Sequence, residues 1–266
     1  IGLGIPAEPL FRSRDAIENN GSVLYLPYDF AYNWDIDFDK FVYGGVIINK
    51  TVTIYGNGHT ISGNGSLSKI LQLNVTDGEV TLNNITFVDS VGAIYTDNTN
   101  LTINDCNFIN NTFNGAIRGE GGVISITDST FTNNTGTAPY LNKAGKGGAI
   151  YVLGGDIPIT GSTFTNNTAY DGGAIEANGG SSLRIDNCVF TDNTAILIDG
   201  GEGYGGAATL ISKAWGVEYV RARKEGYKID PETGEKIWIE KPQLIDYKTG
   251  KPKGIGNFIR NTSLDE

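Results

Sequence analysis

Five phenylalanines stand in nearly identical surroundings, and that repetition limits the fold more than any other feature of this 266-residue chain. They are Phe87, Phe108, Phe131, Phe164 and Phe190, and Phe258 occupies a sixth such place in Gly-Asn-Phe-Ile-Arg-Asn-Thr. Successive spacings are 21, 23, 33, 26 and 68 residues. Seven residues before each of the five stand Val80, Leu101, Ile124, Ile157 and Leu183; five before stand Leu82, Ile103, Ile126, Ile159 and Ile185. Two before stand Ile85, Cys106, Ser129, Ser162 and Cys188, and mostly Thr, Asn, Asp or Ser separates these columns. Apolar positions two apart predict a strand with one buried face. The phase change between the five-before and two-before columns predicts a bend, often at Asn, Asp or Gly. Three residues after the phenylalanine come Asn111, Asn134, Asn167, Asn193 and Asn261, with Ser90 in the first copy. Gly-Ala-Ile or Gly-Gly-Ala-Ile then opens a second strand at Ile94, Ile117, Ile150 and Ile175, and Ala208 takes that place in the last copy. Glycine there permits a tight turn or positive φ.

A unit of 21 to 33 residues holding two or three short strands cannot bury its apolar face alone. Stacked copies share one core, so the pattern predicts a parallel β-solenoid whose coils advance about 4.8 Å each. Stacking also accounts for the 26 asparagines. An inward amide can donate to the next coil and accept from the previous one, so a buried asparagine column satisfies its own polar groups. Asn111, Asn134, Asn167, Asn193 and Asn261 are therefore expected to form a structural ladder.

Composition excludes several functions. The formal charge of −10 argues against nucleic acid as a partner, since phosphates need a basic surface. One histidine and two cysteines leave no multi-histidine or four-cysteine metal site, so neither metal nor cofactor is expected. No apolar run reaches the roughly 18 residues of a membrane-spanning helix. Methionine is absent, even at position 1, so the chain is expected to be a processed product or a fragment from which a signal peptide has been removed.

Gly-Gly-Ala-Ile at 147–150 paired with Phe-Thr-Asn-Asn at 164–167 resembles the repeat of chlamydial polymorphic outer-membrane proteins. It is also similar to the repeat of adhesin-like surface proteins of methanogenic archaea. Ile-Asn-Lys-Thr-Val-Thr-Ile-Tyr-Gly-Asn-Gly-His-Thr-Ile-Ser-Gly at 48–63 is similar to the first coil of those archaeal proteins. The resemblance covers about residues 11–209 and resumes at 254–263. It implies a right-handed parallel β-helix of the pectate-lyase-like type, exported and displayed on the cell surface.

The expected fold is thus all-β, a right-handed parallel β-helix. Residues 1–45 hold an N-terminal cap and first strands, 46–209 the coils, 210–253 an insert and 254–266 a final partial coil. Residues 11–20 read as a short amphipathic capping helix with Ser13 as N-cap, and 21–27 as a strand. Such a cap would cover the open edge of the first coil. The insert carries ten Lys/Arg against seven Asp/Glu, a net of +3, on a remainder of −13. Its residues 227–239 read as a β-hairpin turned by Asp-Pro-Glu-Thr-Gly, and 246–252 as a second turn. Trp215, Tyr219, Arg221, Arg223, Tyr227, Trp238 and Tyr247 make this basic, aromatic flap a candidate contact surface. The competing reading is a solvated decoration.

Other residues weigh as follows. His59 falls in the phenylalanine column, or Ile61 does if the bend is two residues longer; no sequence neighbour supplies a catalytic partner for His59, which favours a structural role. Cys106 and Cys188 share a column three coils apart, roughly 14 Å, beyond the reach of about 7 Å for a disulfide. Both are expected free and buried. The column before the phenylalanine, Thr86, Asn107, Thr130, Thr163 and Val189, has no carboxylate, and Asp105, Asp128, Asp156, Asp171, Glu176 and Asp186 read as a solvated face. No catalytic residue is assigned. Polysaccharide lysis or hydrolysis, which needs clustered carboxylates, stays an alternative. Ten Asn-X-Ser/Thr sequons begin at Asn20, Asn49, Asn64, Asn74, Asn84, Asn100, Asn110, Asn133, Asn166 and Asn261, against roughly four expected by chance, and are candidate glycosylation sites. The expected function is extracellular contact at the cell surface, with a receptor protein or glycan, or with other copies of the chain in an end-to-end filament.

Overall fold

Each repeat contributes one strand to each of three parallel sheets, and neighbouring strands in a sheet come from successive repeats. The computed structural model describes residues 22–37, 45–66, 69–113, 115–136 and 145–196. It also describes the backbone of Glu8–Pro9, Ala208–Leu210, Tyr227–Ile229, Lys236–Trp238, Asn257–Ile259 and Thr262–Ser263. A full coil runs through three strands, for example Glu79–Asn83, Thr86–Val88 and Ile94–Asp97. The next coil repeats them at Asn100–Asn104, Asn107–Ile109 and Ile117–Glu120.

The predicted columns are the observed registers. Phe87 pairs with Phe108, Phe108 with Phe131, Phe131 with Phe164, Phe164 with Phe190 and Phe190 with Phe258. Ile94, Ile117, Ile150, Ile175 and Ala208 align in the second sheet, and Leu82, Ile103, Ile126, Ile159 and Ile185 in the third. The first five phenylalanines are fully buried. Their rings stack at 5.1, 4.7, 4.7 and 4.7 Å, with the last three pairs within 7° of parallel. The strand spacing of about 4.8 Å sets that repeat.

The bend also follows a rule visible in the backbone. Three residues before each phenylalanine stand Asn84, Asp105, Asp128, Gly161 and Asn187, all at φ between 49° and 63°. Two residues after it stand Asp89, Asn110, Asn133, Asn166 and Asp192, at φ between 52° and 57°. Among the described residues, thirteen of the fourteen non-glycine residues with positive φ are Asn or Asp, the L-residues that best tolerate the left-handed region. Much of the asparagine excess therefore comes from turn geometry rather than from the ladder. The glycine pair before the second strand answers a second demand: a Cβ on Gly148 would collide with the carbonyl oxygen of Gly173 in the next coil.

The inward asparagines are fully buried. Asn134 Oδ1 accepts from both the backbone N–H and the Nδ2 of Asn111, each at 3.0 Å. Asn134 Nδ2 donates to Asn167 Oδ1 and to the Phe108 carbonyl, both at 3.0 Å. Asn167 repeats this with Asn193 and Phe131, and Ser90 closes the series by donating to Asn111 at 2.6 Å. Asn261 lies outside the described residues.

Parallel pairing starts upstream of residue 46. Val23–Tyr25 pairs with Val52–Tyr55, and Phe30–Ala31 with Thr60–Ser62. The register Ile61 to Phe87 settles the open alignment: the bend is longer, and His59 is not in the phenylalanine column. The capping helix expected over 11–20 lies outside the described residues; the helical turn that is described is Trp34–Asp37. Within the insert, Tyr227–Ile229 and Lys236–Trp238 form the expected antiparallel hairpin, with Tyr227 opposite Trp238. Asn257–Ile259 then rejoins the phenylalanine sheet beside Val189–Thr191.

Cys106 and Cys188 are free and buried. The Cys106 N–H donates to Ser129 Oγ, and the Ser129 N–H to Ser162 Oγ, along the shared column. Burial pushes the Cys106 thiol up to about 11 and raises that of Cys188. Because the thiolate is the reactive form, a thiol reagent at pH 8 is expected to label neither cysteine in the folded protein and both in denaturant. Rapid native labelling would contradict the packing.

Candidate functional site

Strands of the second sheet alternate inward and outward residues, so one outward column runs along the solenoid. Its register is Ile47, Gln72, Tyr95, Arg118, Tyr151 and Glu176. The Arg118 guanidinium lies between two rings, 5.8 Å from Tyr95 and 5.7 Å from Tyr151. Lys69 covers the Tyr95 ring at 5.1 Å, and Lys146 the Tyr151 ring at 6.0 Å. Cations and rings thus alternate along the axis, an arrangement stabilised by the ring quadrupoles. Carboxylates complete the row. Arg118 donates to Glu120 at 2.7 Å and Lys146 to Glu176 at 2.9 Å.

Glu176 corrects the sequence expectation. Assigned to a solvated face, it is 0% exposed, while Asp105, Asp128, Asp156 and Asp186 are exposed and Asp171 half-buried. Its Oε2, like Arg118 Nε, is buried without a hydrogen-bond partner. Burial raises its carboxyl from 4.5 to about 7, outweighing the opposing pull of Lys146. Burial disfavours charge on Lys146, but its bond and attraction to Glu176 win, and its amine is raised. Desolvation raises both the Tyr95 and Tyr151 phenols, helped chiefly by Glu120 and Glu176 respectively. Both phenols therefore stay protonated at neutral pH.

The Glu176 shift has a definite sign. The folded protein keeps a proton there that the unfolded chain has released. The stabilisation from this group is complete below about pH 4.5 and is lost as pH rises through about 7. Denaturant midpoints of wild type and Glu176→Gln, compared from pH 4 to 8, should diverge across that interval, with the wild type losing ground as pH rises. Parallel profiles would contradict the burial.

The single histidine does have a partner, supplied by the coil period rather than by sequence proximity. His59 Nδ1 lies 3.0 Å from Asp29 Oδ1, which also accepts the Thr60 N–H at 2.8 Å. The Thr60 amide, offset in part by desolvation and assisted by His59, holds Asp29 below the usual carboxylate range. The pair ties adjacent coils together at an exposed corner.

Of the sequons, Asn49, Asn64, Asn74, Asn84, Asn100, Asn110, Asn133 and Asn166 are exposed; Asn20 and Asn261 lie outside the described residues. So do Trp215, Tyr219, Arg221, Arg223 and Tyr247, while Tyr227 and Trp238 face each other across the hairpin by backbone register. Among the described residues no three His, Cys, Asp or Glu are grouped to hold a metal, and no helix is long and apolar enough to cross a membrane. The tyrosine–cation row escaped the sequence reading because only the phenylalanine strand was followed outward. The residue after each strand-opening isoleucine, namely Tyr95, Arg118, Tyr151 and Glu176, carried the signal.

A family model for a right-handed beta helix region matches residues 68–213, more than half of the chain. The chain belongs to the right-handed beta helix family. No curated protein matches it. This β-helix family fits both halves of the geometry: parallel strands in stacked coils, and a continuous outer column that crosses one coil after another.

Proposed function

We infer that this β-helix is a contact protein of the cell surface, an adhesin-like molecule of the kind its repeats resemble in methanogenic archaea and in chlamydial outer-membrane proteins. The observation that carries this reading is the outer row itself. Tyr95, Arg118 and Tyr151 stand on consecutive strands of a rigid sheet, flanked by Lys69, Lys146 and Glu120. Tyr and Arg on a rigid scaffold are the residue types that dominate contact surfaces. Export suits the eight exposed sequons, and an intact mass above 28.4 kDa with sugar-sized increments would support it; the bare polypeptide mass would count against glycosylation.

Beads coated with the full chain should adhere to intact cells or cell envelopes of the source organism. Arg118→Ala combined with Tyr151→Ala should abolish adhesion if the row is the contact, whereas deletion of residues 213–252 should do so if the insert is. Adhesion indifferent to both changes would defeat the reading. Rods joined end to end in electron micrographs of native material would favour a filament subunit instead.

A second reading has one specific support. A carboxyl raised to about 7 beside a lysine is how a general acid is tuned. The enzymatic version is polysaccharide cleavage centred on Glu176. Release of new sugar ends from acidic polysaccharides with added calcium, lost in Glu176→Gln, would establish it and displace the adhesin reading.

A further inference from the structure

We propose that Lys146 and Asn178 condense into an isopeptide bond that locks two successive coils together, with Glu176 carrying the proton. The proposal goes beyond the surface-contact reading and does not depend on it. Three groups meet at one oxygen: Glu176 Oε1 accepts from Lys146 Nζ at 2.9 Å and from Asn178 Nδ2 at 3.3 Å. Glu176 and Asn178 lie two residues apart on the strand Ile175–Asn178, so both side chains leave the same face. Lys146 comes from the preceding coil, just before the strand Ile150–Leu153 that pairs with it. In the two preceding coils the places of Glu176 and Asn178 hold Tyr151 with Leu153 and Arg118 with Glu120. The amine, the amide and the buried carboxyl therefore meet where the repeat departs from its own pattern, and a sequence breaks its local rules chiefly at sites of function.

The site provides for the proton as well as for the bond. Glu176 is fully buried, and its Oε2 has no hydrogen-bond partner. Desolvation penalises the charged forms of both Lys146 and Glu176. One proton passed from the ammonium to the carboxylate leaves two neutral groups, the state that burial favours. The freed Nζ then adds to Asn178 Cγ, and both groups are already held side by side on the carboxyl. Negative charge developing on Asn178 Oδ1 meets the Gly179 N–H, which donates to that atom at 2.7 Å. The backbone that carries the amide is fixed in turn, because the Asn178 carbonyl accepts from both the N–H and the Oγ of Ser181. As the tetrahedral species collapses, the Cγ–Nδ2 bond breaks, Nδ2 takes a proton from Glu176, and the carboxylate recovers one from Nζ. The released ammonia carries that last proton away. An alkylammonium and a primary amide thus become a secondary amide and an ammonium ion, with no oxidant, reductant or cofactor consumed.

Intact mass and tryptic mapping of the folded full chain, produced in a host that adds no sugar and incubated at neutral pH, test this. The wild type should be lighter than its sequence by one ammonia, and trypsin should fail to cut after Lys146. Residues 144–184, which lie between the flanking sites at Lys143 and Arg184, should then be recovered as a single looped peptide. Lys146→Arg, Asn178→Ala and Glu176→Ala should each restore the full sequence mass. Asn178→Ala keeps the Lys146–Glu176 ion pair and is the variant best able to fold; a melting curve for each variant shows whether it has. Folded wild type at full sequence mass would overturn the proposal. So would ammonia lost while trypsin still cuts after Lys146, and lost equally from Lys146→Arg, since the Gly179 nitrogen would then have closed a succinimide on Asn178. Loss of water in place of ammonia would put the bond on Glu176 and overturn the assignment to Asn178.

Discussion

Phe131→Ala is expected to lose about 3–5 kcal/mol of stability, the range for removing a wholly buried aromatic side chain. Phe131 is the middle ring of the stack, with Phe108 on one side and Phe164 on the other, each at 4.7 Å and 3° from parallel. Truncation removes both contacts at once and leaves a void bounded by rings that cannot close on it. Each ring is fixed to its own strand, and the strand spacing is set by backbone hydrogen bonds. Stacked aromatic pairs add about 0.5–1.5 kcal/mol beyond area alone, so Phe131→Leu should cost less, yet more than a volume-conserving swap in an ordinary core. Denaturant unfolding followed by far-UV circular dichroism gives the values. Coils depend on nearest neighbours, so the transition should also broaden as the solenoid is weakened in its middle. A loss below about 1 kcal/mol would mean that the stack does not support the core.

Asn134→Ala is expected to cost about 2–5 kcal/mol by a different route. The substitution leaves the Asn111 N–H without its acceptor and takes one of two acceptors from Asn111 Nδ2. It also removes the Nδ2 donor from the Phe108 carbonyl. These groups are buried, and no water replaces the missing amide unless the cavity admits one. Asn134→Asp discriminates the mechanism. At neutral pH a carboxylate there would face the Asn167 oxygen with no proton to offer and would be buried without a counter-charge. It should be worse than alanine, and should partly recover in acid, where the protonated form can donate again. Burial raises such a group's folded pKa, so its stability is present at low pH and is lost as pH rises. Denaturant midpoints at pH 4 and pH 7 provide the comparison. An aspartate variant equal to wild type at pH 7 would exclude the ladder as a source of stability.

Both sites were legible in the sequence because a solenoid converts sequence period into contact. Once Phe108, Phe131 and Phe164 fall in one column, their stacking follows from strand spacing, and the inward place of Asn134 follows from its offset to Phe131. The bends were legible in position but not in cause. That Asp105, Asp128 and Asn187 occupy the left-handed region is a backbone fact, and Gly161 in the same column is the residue that hints at it. The outer row was only half legible. Its residues share a column, but their spacing alone could not reveal that two cations sit over each of two tyrosine rings.

What the sequence determined by itself was the coil: its period, its core, its free cysteines and the hairpin interrupting it, since each depends on local pattern repeated at fixed offset. What only the tertiary structure decided was the partnering of isolated polar side chains. His59 meets Asp29 and Lys146 meets Glu176 across 30 residues in each case, and Glu176 is buried although its column faces outward. Burial and partnering at those points depend on side-chain reach and on neighbours one coil away, which no single repeat encodes.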